Sequence, residues 1–339
     1  MHGTADSLNA PAPETGAAAR RRKRRGRGRR ACEFGVLLGL LGLAASRLGQ
    51  LWIGFDVFSQ ITLQVAVFTL AFAIGWLAPR GRSIVALSLL IAGLVAIGMW
   101  PHIESRAPGV LAAPEPGELA LKVASFNTLW TNDGADAVKA EIERLDADVI
   151  TLIELSPSKR RILQELKARY PYQAQCYDLD YCDLAVLSKL PIAESEAHGA
   201  GELGGAPSFI RVRLGPEGGG LQVFGVHTIR FPHSQAQFRQ VAALSGLIER
   251  LPGPKLVMGD FNATPFSRIL ATLQDSASLT RLTSLPTWPS ALGLPQIAID
   301  HIFVSAGLKP LEAASIGEPA GSDHYPVSAR IAVPRLSTP

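Results

Sequence analysis

The chain is poor in cysteine, with only three among its 339 residues. This scarcity excludes a small disulfide-rich scaffold, and the lack of a second Cys or His pair at ligand spacing argues against a zinc site. Cys176 and Cys182 flank a loop-like stretch. They either form a disulfide, which requires an oxidising compartment, or remain two unrelated thiols. Cys32, beside the first apolar segment, is either a small structural residue or an acylation site.

Acidic residues are missing from residues 20–30, which contain nine Lys or Arg residues. The rest of the chain holds 24 basic and 29 acidic residues, a formal net charge of −5. Residues 120–339 alone hold 20 basic and 22 acidic residues. This part therefore lacks the basic surplus that is typical of proteins binding long polyanions, which argues against avid DNA binding.

A strongly apolar region follows the basic run. Residues 1–19 are rich in Ala, Pro and small polar residues, and we expect a disordered tail over 1–31. Segments near the ~20 residues that cross a bilayer lie at Phe34–Trp52, Phe58–Ala78 and Ser83–Trp100. They predict a transmembrane region over 32–100 with about three helices, followed by a linker over 101–118. The alternatives are a cleaved signal peptide for the first segment and a nucleic-acid or nuclear-localisation function for the basic run.

The distribution of Lys and Arg predicts the orientation of these helices. The basic run precedes the first segment, and Arg80 and Arg82 lie between the second and the third. Because cytoplasmic loops are enriched in Lys and Arg, three spans that begin in the cytoplasm end outside it. We therefore expect a multi-pass inner-membrane protein with an extracytoplasmic C-terminal domain. We expect the basic run to contact anionic membrane lipids.

Polar residues suited to metal or phosphate chemistry accompany a series of strand-like apolar runs. Asp260 and Asn262 follow one run, and Asn127, Glu154 and His227 each follow another. Near the C-terminus, Asp300 and the sequence Ser322-Asp323-His324 complete the series. Because open α/β sheets place their chemistry at strand ends, the repetition favours convergence on one site.

This ordered set resembles the endonuclease/exonuclease/phosphatase superfamily, which includes pancreatic-type DNases, abasic-site endonucleases, neutral sphingomyelinases and inositol polyphosphate 5-phosphatases. The resemblance covers roughly residues 119–334, and we place the domain at 119–335. It implies a four-layer α/β sandwich of two packed mixed sheets flanked by helices, with the active site at one sheet edge. Helical patterns at 137–145 and 234–251, which alternate with strand patterns, agree with an α/β class.

The resemblance implies a divalent metal site. Glu154 is the expected primary ligand of Mg²⁺ or Mn²⁺, Asn127 assists, and Asp323 faces the metal region. Carboxylates and carboxamides are hard oxygen ligands that suit these ions. The alternative for Glu154 is a solvated strand end, which we disfavour because a solitary carboxylate beside a buried strand is costly.

The resemblance also implies catalytic roles. Asp260 positions or deprotonates the attacking water, and Asn262 holds a phosphate oxygen. His324 contacts the scissile phosphate, and Asp300 hydrogen-bonds its imidazole, which fixes the tautomer and raises the pKa. His227 stabilises charge on the phosphate or on the leaving oxygen.

Arg211 and Arg213 alternate on one predicted strand face and either bind substrate phosphate or form an exposed face. Taken together, the sequence predicts a membrane-anchored, divalent-metal-dependent phosphoesterase acting outside the cytoplasm. Its candidate substrates are a lipid-linked phosphate or another phosphorylated small molecule. The alternatives are an extracytoplasmic nuclease acting on DNA or RNA and a non-catalytic binding module. The last is disfavoured because every expected catalytic position is filled.

Overall fold

The computed structural model describes residues 16–77, 113–291, 293 and 296–336. Two N-terminal helices, α1 (Gly16–Leu48) and α2 (Thr62–Leu77), are connected through a 3₁₀ helix at Ile53–Ile61. Helix α1 begins inside the segment predicted to be disordered, since Ala, Arg and Lys favour helix. The third predicted span, Ser83–Trp100, lies outside the described residues.

Two helical stretches among the described residues are long and apolar enough to cross a membrane, by length and composition. They are Gly26–Leu48 and Ile53–Trp76, one fewer than the number of spans predicted. Helices α1 and α2 approach closely at Gly39, where an added Cβ would lie 2.1 Å from Oγ1 of Thr69. Small residues at such positions let two helices pack at short distance.

The described residues divide into two compact units. One contains residues 16–44 and 63–77. The other contains residues 45–62 together with 113–336. The 3₁₀ helix Ile53–Ile61 therefore belongs to the same unit as the predicted catalytic domain.

The larger unit contains two mixed sheets. Their strands are β1 Glu118–Asn127, β2 Val149–Ile153, β3 Tyr172–Gln175, β4 Ala185–Ser188, β5 Ile192–His198, β6 Ser208–Leu214, β7 Gln222–His227, β8 Lys255–Asp260, β9 Leu279–Arg281, β10 Asp300–Ser305, β11 Lys309–Pro310, β12 Ser315–Ile316 and β13 Val327–Pro334. The first sheet has the order β11-β13-β1-β2-β4-β3, with β12 beside β13, and the second has the order β5-β6-β7-β8-β10-β9. Pairs β1/β2 and β7/β8 are parallel, and the other pairs are antiparallel.

The two sheets pack face to face around a shared apolar core. Val149 of the first sheet and Val223 of the second are fully buried in this core. The next residue of β2, Ile150, faces the opposite side, because successive strand residues alternate. This outer side is covered by helices, which gives each sheet one face toward the other sheet and one toward a helical layer.

The helices of this unit are α3 Ala135–Leu145, α4 Arg161–Glu165, α5 Glu202–Gly205, α6 Ser234–Arg250 and α7 Arg268–Ser276. Ile142 of α3 packs with Ile150 of the first sheet. Leu244 of α6 and Ile269 of α7 pack with Val257 of the second sheet. The predicted four-layer α/β sandwich of two mixed sheets flanked by helices is thus confirmed.

Candidate active site

The strand topology brings the predicted site residues to one end of the sandwich. Asn127 and His227 end β1 and β7, and Asp260 ends β8. Because β1 runs parallel to β2 and β7 runs parallel to β8, the C-terminal ends of the paired strands lie side by side in each sheet. Asp300 begins antiparallel β10 directly opposite Asp260, so it lies at the same edge.

Two carboxylates are held together by one carboxamide. The Nδ2 of Asn127 donates to Oε1 of Glu154 at 3.1 Å and to Oδ2 of Asp260 at 3.0 Å. The backbone N of Leu129 donates to Oδ1 of Asn127 at 3.0 Å, which sets the orientation of the amide. The backbone N of Trp130 donates to Oε2 of Glu154 at 2.7 Å. Asn127 therefore positions both acids by donation; its role as a metal ligand stays a prediction.

The backbone is strained at the site. Leu129, Glu154 and Asn262 have φ values of 59°, 54° and 46°, in the left-handed region that non-glycine residues rarely adopt. Gly259 precedes Asp260, and an added Cβ would lie 1.9 Å from the carbonyl oxygen of Val226 in the neighbouring strand. Glycine is therefore required where β8 presents Asp260. Strain of this kind persists when the surrounding structure fixes the residues, and it clusters at functional sites.

His324 forms a short, buried pair with Asp300. Its Nδ1 lies 2.8 Å from Oδ2 of Asp300, and its Nε2 lies 3.8 Å from Oδ2 of Asp260. The backbone N of His324 donates to Oγ of Ser322, which in turn donates to the carbonyl of Asn127. Burial alone lowers the pKa of His324, but the negative charges of Asp300 and Asp260 outweigh it and raise the pKa to about 10.

His227 forms a second, longer pair. Its Nδ1 lies 3.4 Å from Oδ1 of Asp183, and its Nε2 lies 3.9 Å from Oε1 of Glu154. Burial lowers the pKa of His227, yet the hydrogen bond that it donates to Asp183 and the charges of Asp260, Asp183 and Glu154 raise it to about 9. Both imidazoles are therefore cations at neutral pH.

Asp260 lies between the two imidazoles and is buried. Burial and the nearby charge of Asp300 raise the pKa of Asp260 to about 6, while His324 and His227 pull it down. Asp260 is thus ionised at neutral pH but remains a much better proton acceptor than an ordinary aspartate. The backbone N of Asn262 donates to Oδ1 of Asp260 at 2.8 Å, which leaves Oδ2 facing Asn127 and His324.

These residues line one open cavity of about 860 Å³. Its wall combines Glu154, His227, Asp260, Asn262, Asp323 and His324 with Leu129, Tyr181, Ile229, Phe231, Pro232 and Trp288. The cavity wall therefore combines charged and apolar side chains. Arg230 also lines the cavity and is exposed, so the cavity wall includes one solvent-accessible guanidinium group.

The donor set fits a hard divalent cation. Carboxylate oxygens of Glu154 and Asp260 lie within 4.8 Å of one another, as do those of Asp260 and Asp300. Oδ1 of Asp300 and Oδ1 of Asp323 are buried without a hydrogen-bond partner among the described residues. Clustered carboxylates with unsatisfied oxygens match the preference of Mg²⁺ and Mn²⁺ for oxygen ligands.

Asp323 accepts a hydrogen bond from Nε1 of Trp288 at 2.9 Å and borders the cavity. Its predicted role as a metal ligand stays a prediction. Arg211 and Arg213 are not brought to the site. They pair across the sheet with Glu196 and Glu194 of β5, so the structure places them on a strand face of ion pairs. Substrate binding by these two arginines also stays a prediction.

The sulfurs of Cys176 and Cys182 are joined as a disulfide in the structure. The bridge closes a short loop directly before Asp183. The exposed ring of Tyr181, within this loop, reaches the cavity wall.

Two positioning residues were missed by reasoning from the sequence. Asp183 begins no obvious motif, but antiparallel β4 places it beside His227. Lys159 is fully buried, and its Nζ donates to the carbonyls of Leu129 and Asn132 and to Oγ of Ser156. It thus fixes the loop whose backbone N–H at Trp130 binds Glu154. Because nothing local distinguishes Lys159 from the other seven lysines of the chain, only the fold reveals that it is buried.

A family model described as the endonuclease/exonuclease/phosphatase family matches residues 124–324, more than half of the chain. The chain belongs to this family. The resemblance predicted from the strand-end residues is confirmed, and so is the expectation of an enzyme, a hydrolase acting on phosphate esters.

Solved structures similar to this chain include two with a TM-score of 0.50 or above. A Danio rerio TDP2 humanized by 14 mutations is 17% identical and covers 62% of this chain and 98% of its own, with a TM-score of 0.53. SmcL is 21% identical, covers 64% and 99%, and has a TM-score of 0.50. Sphingomyelinase C from Streptomyces griseocarneus is 19% identical, covers 62% and 99%, and has a TM-score of 0.49. No curated protein matches the chain by sequence.

Proposed function

We propose that the chain is a membrane-anchored, divalent-metal-dependent phosphodiesterase that acts outside the cytoplasm on a lipid-linked phosphate ester. The observation that carries the proposal is the convergence of two carboxylates, a carboxamide and two imidazole–carboxylate pairs at one end of the sandwich, with both carboxylates and both imidazoles lining one cavity. Every one of these groups has a part in hydrolysis of a phosphate ester, and the family supports that reaction class.

Glu154 would hold Mg²⁺ or Mn²⁺, within the acidic cluster that also contains Asp260. The ion, when bound, supplies positive charge to non-bridging and leaving oxygens. The identity of the metal is part of the proposal; the acidic cluster supports a divalent cation, and a beta toxin of Staphylococcus aureus has been solved with bound magnesium ions.

The residues of the chain account for the proton transfers. Asp260, whose pKa is about 6, accepts a proton from the attacking water. His324, held as a cation by Asp300, donates a hydrogen bond to a phosphate oxygen. His227, held as a cation by Asp183, donates to the leaving oxygen. Oriented donors of this kind stabilise the charge that develops in the transition state.

The apolar residues that line the cavity support a lipid-linked substrate. Tyr181 and Ile229 are 87% and 37% exposed at the cavity, and Trp130, next to Leu129 in the cavity wall, is 45% exposed. Exposed apolar groups beside a polar site are typical of a surface that binds a lipid or another apolar ligand. The two membrane-length helices of the same chain would hold the enzyme at a bilayer.

The test uses the full chain in detergent with Mg²⁺, Mn²⁺ or EDTA. The substrates are phospholipid vesicles, a polyprenyl diphosphate, plasmid DNA and bis-p-nitrophenyl phosphate, and Asp260→Asn is the inactive reference. We expect metal-dependent turnover of a lipid substrate that Asp260→Asn abolishes. Turnover of DNA alone would contradict the lipid assignment, and no metal-dependent turnover of any substrate would contradict the proposal as a whole.

The extracytoplasmic placement rests on the charge distribution of the sequence and is supported by the disulfide Cys176–Cys182, since disulfides persist in oxidising compartments. Fusion of alkaline phosphatase and of green fluorescent protein to the C-terminus tests it. We expect an active phosphatase fusion and a dark fluorescent fusion. The opposite pattern would place the catalytic domain in the cytoplasm.

A further inference from the structure

The 3₁₀ helix Ile53–Ile61 carries buried polar side chains although its composition is that of a membrane span. Asp56, Ser59 and Gln60 are 1%, 1% and 2% exposed. Polar groups are buried at a cost unless they find partners, so this segment must have specific ones. All the partners described below lie in the compact unit that contains the active site.

Gln60 and Ser59 bind Thr264, in the loop that follows Asp260. Oε1 of Gln60 accepts a hydrogen bond from the backbone N of Thr264 at 2.7 Å. The carbonyl oxygen of Ser59 accepts one from Oγ1 of Thr264 at 3.2 Å. Thr264 is four residues after Asp260 and two after Asn262. The segment therefore fixes the loop that leaves the catalytic strand.

Asp56 binds the end of the same loop, where α7 begins. Its Oδ1 accepts from the backbone N of Arg268 at 2.8 Å, and its Oδ2 accepts from Oγ of Ser267. Ser267 caps α7, because its Oγ accepts from the backbone N of Ile269. A carboxylate at a helix N-terminus is favourable for both hydrogen bonding and the helix dipole.

The near half of the loop is held by the catalytic domain itself. Nε2 of Gln237 donates to the carbonyls of Phe261 and Asn262, and Nε2 of His301 lies 2.9 Å from the carbonyl of Ala263. Domain side chains thus hold residues 261–263, and the segment Ile53–Ile61 holds residues 264–268. The two sets of contacts are continuous along the chain.

We propose that Ile53–Ile61 is a positioning element of the active site, with Asp56 and Gln60 as its positioning residues. It completes the support of the loop over 260–268 that presents Asp260 and Asn262. The segment between the two apolar helices is then part of the enzyme as well as of its anchor.

The first measurement is hydrogen exchange of the peptide over residues 259–268 in the full chain in detergent. Gln60→Ala removes the acceptor of Thr264, and Gln50→Ala, at an exposed position of the same connection, is its matched control. Asp56→Asn is compared with Asp275→Asn, an exposed position on α7. We expect faster exchange of this peptide in the first variant of each pair only. Unchanged exchange in both would overturn the proposal, whether or not the proposed activity is correct.

The second measurement is kinetic, and it rests on the proposed function. Below the unfolding temperature of each variant, we expect Gln60→Ala to lower kcat about tenfold, since misplaced catalytic groups lose rate steeply. Gln50→Ala should retain the kcat of the unaltered chain. A variant that lowers the unfolding temperature but keeps the full kcat would show that the segment is structural only, and would contradict positioning.

Discussion

The two imidazole–carboxylate pairs of the site differ in burial and in length. His324 is 6% exposed and lies 2.8 Å from Asp300, whereas His227 is 22% exposed and lies 3.4 Å from Asp183. Asp300 comes from β10 within the sheet, whereas Asp183 precedes β4 beside a disulfide-closed loop. Each pair joins a strand residue, Asp300 or His227, to a loop residue, so the two pairs differ in burial and length and not in the kind of element that holds them.

This difference suits two roles. A buried cation in a fixed position serves a phosphate whose place is constant, because preorganised charge acts most strongly where water is excluded. The imidazole of His227, which is more exposed, serves a leaving group that must depart. The comparison thus assigns the stricter geometric requirement to His324.

The largest expected effect is the loss of His324. We expect His324→Gln to lower kcat by about 10⁴-fold and His227→Gln by about 10²-fold, the two ends of the range for positioned acid–base groups. His198→Gln, on β5 and outside the cavity, is the matched control. Steady-state kinetics of the three variants measure the difference. Equal losses for His324 and His227 would break the proposed division of roles.

Substitution of the carboxylates that pair with His324 and His227 should lower kcat in the same order, but by smaller factors. We expect Asp300→Asn to lower kcat by about 10²-fold, because His324 loses the group that fixes its tautomer and charge. Asp183→Asn should lower kcat about tenfold, since the bond it loses is longer and more exposed. Kinetics across pH measure both. A larger loss for Asp183 would contradict the assignment.

The pH dependence of stability separates the pairs further. The pKa values of His324 and His227 rise to about 10 and about 9, above the ordinary value of 6.5. Below pH 6.5 both histidines are protonated in the folded and the unfolded state, and their contribution to the free energy of unfolding is full. As pH rises from 6.5 through the folded pKa values, the unfolded state has already lost these protons while the folded state still holds them, so this contribution is lost. We expect the metal-free protein in EDTA to lose stability to urea over this window.

His324→Gln should remove more of that loss than His227→Gln, since the pKa of His324 is raised further. Urea unfolding of the two variants across the same pH window measures the slopes. If neither substitution flattens the slope, other groups are responsible for the pH dependence.

The smallest expected effect comes from the disulfide. Replacing Cys176 and Cys182 together by Ala loosens the loop before Asp183 and so disturbs only the His227 pair. We expect a several-fold fall in kcat and a loss of about 2 kcal/mol of stability, a modest value because the closed loop is short. Kinetics and thermal unfolding measure it. A loss as large as that of Asp183→Asn would show that the loop alone holds Asp183.

Much of the site was predictable because strand ends can be recognised in a sequence. An apolar run that stops at Glu154 or Asp260 predicts a buried strand with a polar end. Parallel pairing then places the polar ends of neighbouring strands side by side. Asp183, by contrast, acquires its partner through antiparallel pairing of β4 with β2, which no local pattern specifies. Asp56 resembles an ordinary loop acid next to a span, and its partners lie more than 200 residues away. Arg211 and Arg213 have the spacing of a strand face, which fits their observed ion pairs as well as phosphate binding.

The bond between Asp56 and Ser267 joins residues 211 positions apart. During synthesis the N-terminal partner leaves the ribosome long before the other, and contacts of such separation form late. The 3₁₀ helix therefore makes its polar contacts only after Ser267 has emerged, about two thirds of the way along the 119–335 domain. A chain that ends before Ser267 leaves the loop carrying Asp260 and Asn262 without this support.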